Sequence, residues 1–186
     1  MRLRIATPEA PLRLAVLASG SGSGMEALVR YQRATDGVRH ITRLVLTDHA
    51  DAGAVERAQQ LGCPVQAVPL PMIEDRAARR RAHEALVQTQ LEAHEVEAVI
   101  LSGWMRLLTS DFVAQWEGRL LNIHPSLLPD FPGAHAHRDV LHAGANESGC
   151  TVHFVDAGMD TGPIVAQATV PVLEGDDIER LAARVK

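Results

Sequence analysis

Two polar side chains, Asn122 and His124, lie two positions apart at the end of a short apolar run. The run Leu120–Ile123 predicts a β-strand, and residues two apart in a strand point to the same face of the sheet. In a parallel sheet, ligands bind in the crevice beyond the carboxyl ends of the strands. An amide donor and an imidazole on one face there suit the stabilisation of a developing oxyanion. The sequence alone leaves open the alternative, a turn-forming Asn beside a packed His.

A carboxylate that could serve this pair stands at Asp160, in the triplet Asp160-Thr161-Gly162. The same triplet marks aspartic proteases, but those all-β enzymes need two such carboxylates and this sequence offers one. We expect a loop to place Asp160 against His124, where a carboxylate favours the imidazolium and can relay protons. The alternative is an Asx-turn residue close to a glycine.

The segment Ser19–Gly24 alternates serine with glycine and lies between a predicted strand and a predicted helix. Backbone N–H groups in such a turn, together with the positive end of the helix dipole, form an anion site. The dinucleotide fingerprint GxGxxG is not met, because Gly20 and Gly22 fit but position 25 is Met. The segment therefore predicts phosphate binding, and the alternative is a tight turn without a ligand.

The residue types present exclude several other kinds of functional site. The only lysine is Lys186, so neither a Walker A motif nor an internal Schiff-base lysine can be built. Cys63 and Cys150 form no CxxC pair. Four histidines are candidates for zinc: His135, His137, His142 and His153. No third ligand has convincing spacing, so we predict no metal and regard His135 or His137 as a possible partner of Asp160.

The 186 residues, 46% of them hydrophobic and 22% charged, suffice for one globular domain. The formal charge is −5 and aromatic residues make up 3%, so no nucleic-acid partner is expected. No apolar run reaches the length of a membrane span, and Met1–Pro11 has no apolar h-region. We therefore expect a cytoplasmic protein that binds no membrane, with a tail over residues 1–12 and one domain over residues 13–186.

Short apolar runs alternate with longer amphipathic ones, which indicates βαβ units and a parallel sheet. The predicted strands of this part are Leu12–Ala18, Ile41–Leu46, Val65–Val68, Ala98–Leu101 and Leu120–Ile123. The predicted helices are Met25–Arg33, Ala52–Leu61, Asp75–His94 and Asp111–Trp116. The third of these is expected to be a surface helix, with apolar positions that include Leu86 and Leu91.

The pattern changes after the proline-rich loop Pro125–Pro132. A short helix, Arg138–Ala143, precedes two β-rich runs, Thr151–Val155 and Ile164–Val172, and Asp177–Val185 has the pattern of a last helix. The expected fold class is α/β: a Rossmann-like open, mostly parallel sheet flanked by helices, with a hairpin-like strand pair near the C-terminus.

Several segments, taken in order, resemble glycinamide ribonucleotide formyltransferases, a family of folate-dependent formyltransferases. They are LAVLASGSGSGMEALV, LSGWMRLL, GRLLNIHPSLLPDFPGAHAHRDVL, GCTVHFVDAGMDTGPIVAQATVPV and GDDIERLAARV. The resemblance covers Leu14 to Lys186. Asn122–Pro129 with His124, followed by Asp160, is specific for folate-dependent formyl transfer. It does not choose the member, because methionyl-tRNA formyltransferase and formyltetrahydrofolate deformylase share the Asn, His and Asp.

The resemblance implies a reaction of de novo purine biosynthesis, in which the amine of glycinamide ribonucleotide attacks the formyl carbon of 10-formyltetrahydrofolate. Asn122 and His124 match the hydrogen-bond donors to the tetrahedral oxyanion. Asp160 matches the carboxylate that keeps His124 protonated and helps to move the proton. The residues that match the phosphate-binding loop are Gly22, Ser23 and Gly24. Those that match folate contacts are Arg76, Met105, Arg106, Leu107, Leu108 and Asn122.

The same resemblance implies two small-molecule substrates, no metal, and a monomer or homodimer. The family usually has Asn where this chain has Gly24, which leaves only a backbone donor there. The family continues past Lys186, so we expect the C-terminal end of the domain to be missing from this sequence. The regulatory domain of the deformylase and the added domain of the tRNA enzyme are not expected here. A non-catalytic folate- or phosphate-binding module is the alternative from another functional class.

Overall fold

The computed structural model describes residues 4–186, which separate into two compact units, one ending at Arg119 and one beginning at Leu120. The first three residues of the predicted tail lie outside the described residues. Residues 4–11 form no helix or strand, but Arg4 Nε lies 2.8 Å from Glu97 Oε1. The single domain over residues 13–186 stays a prediction.

The first unit alternates strands and helices, as the apolar pattern predicts. Its strands are β1 (Leu12–Leu17), β2 (His40–Thr47), β3 (Val65–Ala67) and β4 (Ala98–Ser102). Its helices are α1 (Ser23–Ala34), α2 (Gly53–Gln60), α3 (Arg76–Ala93) and α4 (Ser110–Gln115). The strands pair in parallel in the order β3-β2-β1-β4. Their carboxyl ends therefore lie together at one end of the sheet, where α/β folds bind ligands.

The core of the first unit is aliphatic because β1 lies between β2 and β4 and is buried on both faces. Val16 of β1 and Val45 of β2 are fully buried and pack in one cluster with Met25 and Val29 of α1. None of the helices described in residues 4–186 is long and apolar enough to cross a membrane.

Helix α3 buries two polar residues that apolar spacing does not identify. Leu86 is 47% exposed, whereas His83 and Glu84 are buried. Both polar side chains have partners, since His83 Nε2 donates to the Val68 carbonyl (2.7 Å) and Glu84 accepts the Thr109 N–H (2.6 Å). Polar groups are buried at little cost when they are hydrogen-bonded. Of the two leucines named from the sequence, Leu91 is fully buried and Leu86 is not, so apolar positions alone do not identify the buried face of this helix.

The second unit contains the antiparallel strands. Its elements are β5 (Leu120–His124), α5 (Ala136–His142), β6 (Glu147–Phe154), β7 (Ile164–Pro171) and α6 (Ile178–Val185). The strands lie in the order β5-β6-β7 with both pairs antiparallel, so β6 and β7 form the predicted hairpin-like pair. Together with the parallel strands of the first unit, they confirm the predicted α/β fold class.

Strand β6 begins four residues before the predicted strand, within a polar stretch that gives little strand signal. Gly149 explains the extension, because a Cβ there would collide with the Ala168 carbonyl of β7. The two backbones approach closely at a position that only glycine permits.

The turn between β1 and α1 depends on Gly22. This residue is the N-cap of α1 in the left-handed conformation (φ 73°, ψ 17°). A Cβ at this position would lie 2.6 Å from Ala54 Cα, so the turn also packs directly against α2. Gly20 in the same turn has open space around its Cα.

We predict that Gly22→Ala lowers the free energy of unfolding by at least about 1–2 kcal/mol, because the left-handed conformation and the contact with Ala54 both oppose a side chain. Gly20→Ala is the matched control and should change the stability by less than about 0.5 kcal/mol. Urea denaturation followed by circular dichroism measures both variants. Equal free energies of unfolding for Gly22→Ala and Gly20→Ala would contradict a turn packed tightly on α2.

Candidate active site

The paired strands β5 and β6 bring three polar side chains onto one face. Asn122 and His124 are two positions apart on β5 and so point to the same face. His153 of β6 lies directly opposite Asn122 in the antiparallel register. Side chains of directly opposed residues share a face of the sheet. Asn122 Nδ2 lies 3.2 Å from His153 Nε2, and both histidines are buried.

Asp160, in the loop between β6 and β7, completes the cluster. Its side chain is 13% exposed. Oδ2 accepts the Gly133 N–H (2.8 Å) and lies 3.4 Å from His124 Nδ1. Oδ1 accepts from Asn122 Nδ2 (3.2 Å) and lies 3.5 Å from His153 Nε2. One carboxylate therefore touches both residues of the predicted pair and a second histidine.

Two residues with positive φ shape this site. Asp160 has φ 55° and Phe131 has φ 55°. Asp tolerates the left-handed region, but for Phe it costs roughly 1–2 kcal/mol. The Phe131 carbonyl accepts hydrogen bonds from His124 Nε2 (2.9 Å) and Ser126 Oγ (3.0 Å). Because a carbonyl only accepts, His124 carries a proton on Nε2, and Nδ1 is the nitrogen that faces Asp160.

The electrostatics of the cluster favour an ionised Asp160. Its hydrogen bond with His153 is the largest influence and, with the Gly133 N–H and the charge of His124, lowers its pKa to about 2 against the opposing effect of burial. Burial lowers the pKa of His153, but its contacts with Asp160 and with the Phe154 carbonyl outweigh this and raise it overall. A lowered carboxyl pKa stabilises the fold above pH 4, and this stability is lost as the pH falls towards 2.

His124 contacts Asp160 as expected, but the second histidine beside Asp160 is His153 rather than His135 or His137. Neither His135 nor His137 is among its partners in the described residues. His135 is exposed at the N-cap of α5, and His137 Nδ1 is buried with no hydrogen-bond partner there. The signal for His153 was its place opposite Asn122, which requires the strand register rather than a motif.

The Gly-rich segment lies at the carboxyl end of β1 in the first unit. Helix α1 begins at Ser23, and its N-cap Gly22 supplies no side-chain hydrogen bond, so the first N–H groups of the helix have no side-chain cap. Such groups bind anions. A Cβ at Gly24 would collide with Ser102 Oγ at the end of β4. A side chain at position 24 would therefore require the Ser102 hydroxyl to move.

The segment Met105–Leu108 follows β4 in the same unit. Met105 N donates to Ser19 Oγ (3.0 Å), and Arg106 Nε donates to Asp48 Oδ2 (2.5 Å). Burial raises the pKa of Asp48, but Arg106 and Ser19 outweigh it and lower the pKa overall. The side chains of Met105 and Leu107 are 62% and 59% exposed.

The remaining predicted folate contact, Arg76, does not lie in a cluster of polar side chains within the described part of the chain. Arg76 is exposed at the first residue of α3, after the N-cap Asp75, whose side chain accepts the Ala78 N–H (2.7 Å). In residues 4–186 there is no group of three or more His, Cys, Asp or Glu side chains arranged to hold a metal ion.

A family model described as formyl transferase matches residues 12–186. The chain belongs to the formyl transferase family. It is 38% identical over 175 residues to phosphoribosylglycinamide formyltransferase of Escherichia coli (strain K12), covering 94% of this chain and 80% of that protein. The crystal structure of glycinamide ribonucleotide transformylase 1 from Symbiobacterium toebii is similar with a TM-score of 0.86 and 41% identity, covering 94% of this chain and 80% of that one.

The family also includes much longer relatives. The trifunctional purine biosynthetic protein adenosine-3 of Drosophila melanogaster is 43% identical over 174 residues, which are 93% of this chain. This formyl transferase chain spans 13% of the length of that protein. The resemblance inferred from the sequence motifs is confirmed at the level of the family.

We predict that His153 titrates above pH 6.5 and that Asp160→Asn moves its midpoint downward. In the variant the carboxylate that raises the pKa of His153 is gone, while burial still lowers it, so the midpoint falls. Histidine C2–H signals followed by NMR against pH measure this, with His153→Gln to assign the signal and exposed His142 as internal control. The same midpoint in both proteins would show that Asp160 does not raise the pKa of His153.

Proposed function

We propose that this chain transfers the formyl group of 10-formyltetrahydrofolate to the amine of glycinamide ribonucleotide, a reaction of de novo purine biosynthesis. The observation that carries the proposal is the contact of one ionised carboxylate, Asp160, with both Asn122 and His124 in a chain of the formyl transferase family. The similarity to phosphoribosylglycinamide formyltransferases supports the choice of acceptor. We expect the protein to act in the cytoplasm, as a monomer or homodimer, without a metal.

His124 serves as a donor to the formyl oxygen. Its Nε2–H is held by the Phe131 carbonyl, so the ring cannot rotate freely. When Nδ1 is protonated, its 3.4 Å separation from Asp160 Oδ2 is longer than a normal hydrogen bond, so this N–H stays available to negative charge on a substrate oxygen. A donor fixed before the reaction stabilises charge that develops only in the transition state.

Asn122 supplies a second donor, and His153 controls its availability. His153 Nδ1 donates to the Phe154 carbonyl (2.9 Å), so neutral His153 has a bare Nε2 that accepts from Asn122 Nδ2. Protonated His153 cannot accept a hydrogen bond at Nε2, and its Nε2–H lies 3.5 Å from Asp160 Oδ1 instead. Protonation of His153 therefore frees one Asn122 N–H for the formyl oxygen.

The Asp160 carboxylate stabilises positive charge on the neighbouring histidines. A carboxylate with a pKa of about 2 is a weak proton acceptor near neutral pH. We therefore assign Asp160 mainly to stabilising the His124 imidazolium, and only transiently to the transfer of the proton that the amine loses and the folate nitrogen gains.

The first unit binds the substrates. The uncapped start of α1 at Gly22, Ser23 and Gly24 is assigned to the phosphate of glycinamide ribonucleotide. The folate is assigned to Met105–Leu108, whose backbone is held by Ser19 and whose apolar side chains are exposed. Arg76, exposed on α3, is a candidate contact with the same ligand.

Formyl transfer to glycinamide ribonucleotide, to water and to methionyl-tRNA, each from 10-formyltetrahydrofolate, distinguishes this function from a deformylase and from a tRNA formyltransferase. The proposal expects transfer to the ribonucleotide. Activity on water or tRNA alone would assign the chain to another member of the family, and binding without turnover would make it a non-catalytic module.

We predict that His124→Ala and Asp160→Asn each lower kcat at least about a hundredfold with small changes in KM, because both act on charge present only in the transition state. The double variant should lose less than the product of the two effects, since the residues act as a unit. His142→Ala, at the exposed end of α5, is the control and should retain wild-type turnover. Near-normal turnover of either site variant, measured in the steady state on folded protein, would exclude this mechanism.

A further inference from the structure

The two tryptophans of the chain differ in one respect. Both are buried, Trp104 at 9% and Trp116 at 4% exposure. Trp116 Nε1 donates to Gln88 Oε1 at 2.9 Å. Trp104 Nε1 is buried too, but no residue in the described part of the chain accepts its hydrogen bond. A buried donor without a partner destabilises the unliganded protein and requires an explanation.

Packing, rather than a hydrogen bond of its own, fixes the Trp104 indole. Its ring stacks on His83 of α3, with centroids 5.9 Å apart and planes within 6°. His83 is held in turn by its hydrogen bond to the Val68 carbonyl (2.7 Å). The indole N–H thus keeps one orientation in the absence of an acceptor.

Trp104 also lies directly before Met105–Leu108, the segment assigned above to the folate. The adjoining residues are anchored, because Met105 N donates to Ser19 Oγ (3.0 Å) and Thr109 N donates to buried Glu84 (2.6 Å). Between these anchors the Met105 and Leu107 side chains are exposed. A held backbone that displays apolar side chains suits a flat, largely apolar ligand, which needs a few polar groups to fix its orientation.

We propose that Trp104 Nε1 donates a hydrogen bond to a carbonyl oxygen or ring nitrogen of the pterin of the formyl donor. This inference rests on the proposed function and adds to it a residue that determines specificity. Nε1 is covered in the unliganded protein, so neighbouring side chains must move as the ligand enters. The Met105 and Leu107 side chains of the adjoining segment are exposed, so they can move without loss of core packing.

The test compares Trp104→Phe with the matched control Trp116→Phe. Calorimetry with 10-formyltetrahydrofolate should show affinity about five- to tenfold weaker for Trp104→Phe, the loss expected for one hydrogen bond, and unchanged for Trp116→Phe. Affinity for glycinamide ribonucleotide should be unchanged in both. Thermal unfolding should show the opposite order, because Trp116→Phe loses a satisfied hydrogen bond and Trp104→Phe removes an unsatisfied donor.

A second measurement on the wild-type protein covers the case in which Trp104→Phe does not fold. The two indole N–H signals in a ¹H–¹⁵N spectrum are assigned with Trp116→Phe, and the Trp104 signal should move downfield on addition of 10-formyltetrahydrofolate while the Trp116 signal stays. An affinity unchanged in folded Trp104→Phe, or a Trp104 signal that does not move, overturns the inference. Wild-type protein that binds no 10-formyltetrahydrofolate overturns the proposed function itself.

Discussion

The largely buried negative charge of Asp160 is the constraint on which the arrangement of the second unit depends. Removing a carboxylate from water costs several kcal/mol unless hydrogen bonds and opposite charges replace the lost solvation. Gly133 N–H, Asn122 and the two histidines supply that replacement at 2.8–3.5 Å. Because each of them is fixed by its own element, the carboxylate selects one geometry for the whole cluster.

Strand pairing and local backbone strain build this geometry together. The register of β5 and β6 sets Asn122 opposite His153, while the left-handed Phe131 turns its carbonyl towards His124. Strained backbone of this kind persists where the surrounding contacts determine it, and it concentrates at functional sites. The first unit uses a different device, an uncapped helix start behind a glycine turn, which suits the binding of an anion rather than proton chemistry.

Much of the fold follows from the sequence because alternation and apolar runs report burial directly. The first unit was predicted element by element, with ends displaced by one or two residues, and its central strand β1 is buried on both faces. Asn122, His124 and Asp160 were also found from residue types and resemblance. Their catalytic roles remain proposals.

The failures share a physical cause, which is that partners distant in sequence decide them. His83 and Glu84 are buried because Val68 and Thr109 satisfy them, and apolar spacing carries no record of that. His153 joins the cluster through strand register, which a motif does not encode. The early start of β6 depends on the close approach of Ala168 to Gly149.

Neutron diffraction of a crystal grown in D₂O near pH 6 would show whether Asp160 is a bare carboxylate held between protonated partners. We expect no deuterium on either Asp160 oxygen, deuterium on both ring nitrogens of His153, and deuterium on His124 Nε2 directed at the Phe131 carbonyl. A deuterium bound to Asp160, or a His153 with a bare Nε2 facing it, would exclude this arrangement of charge.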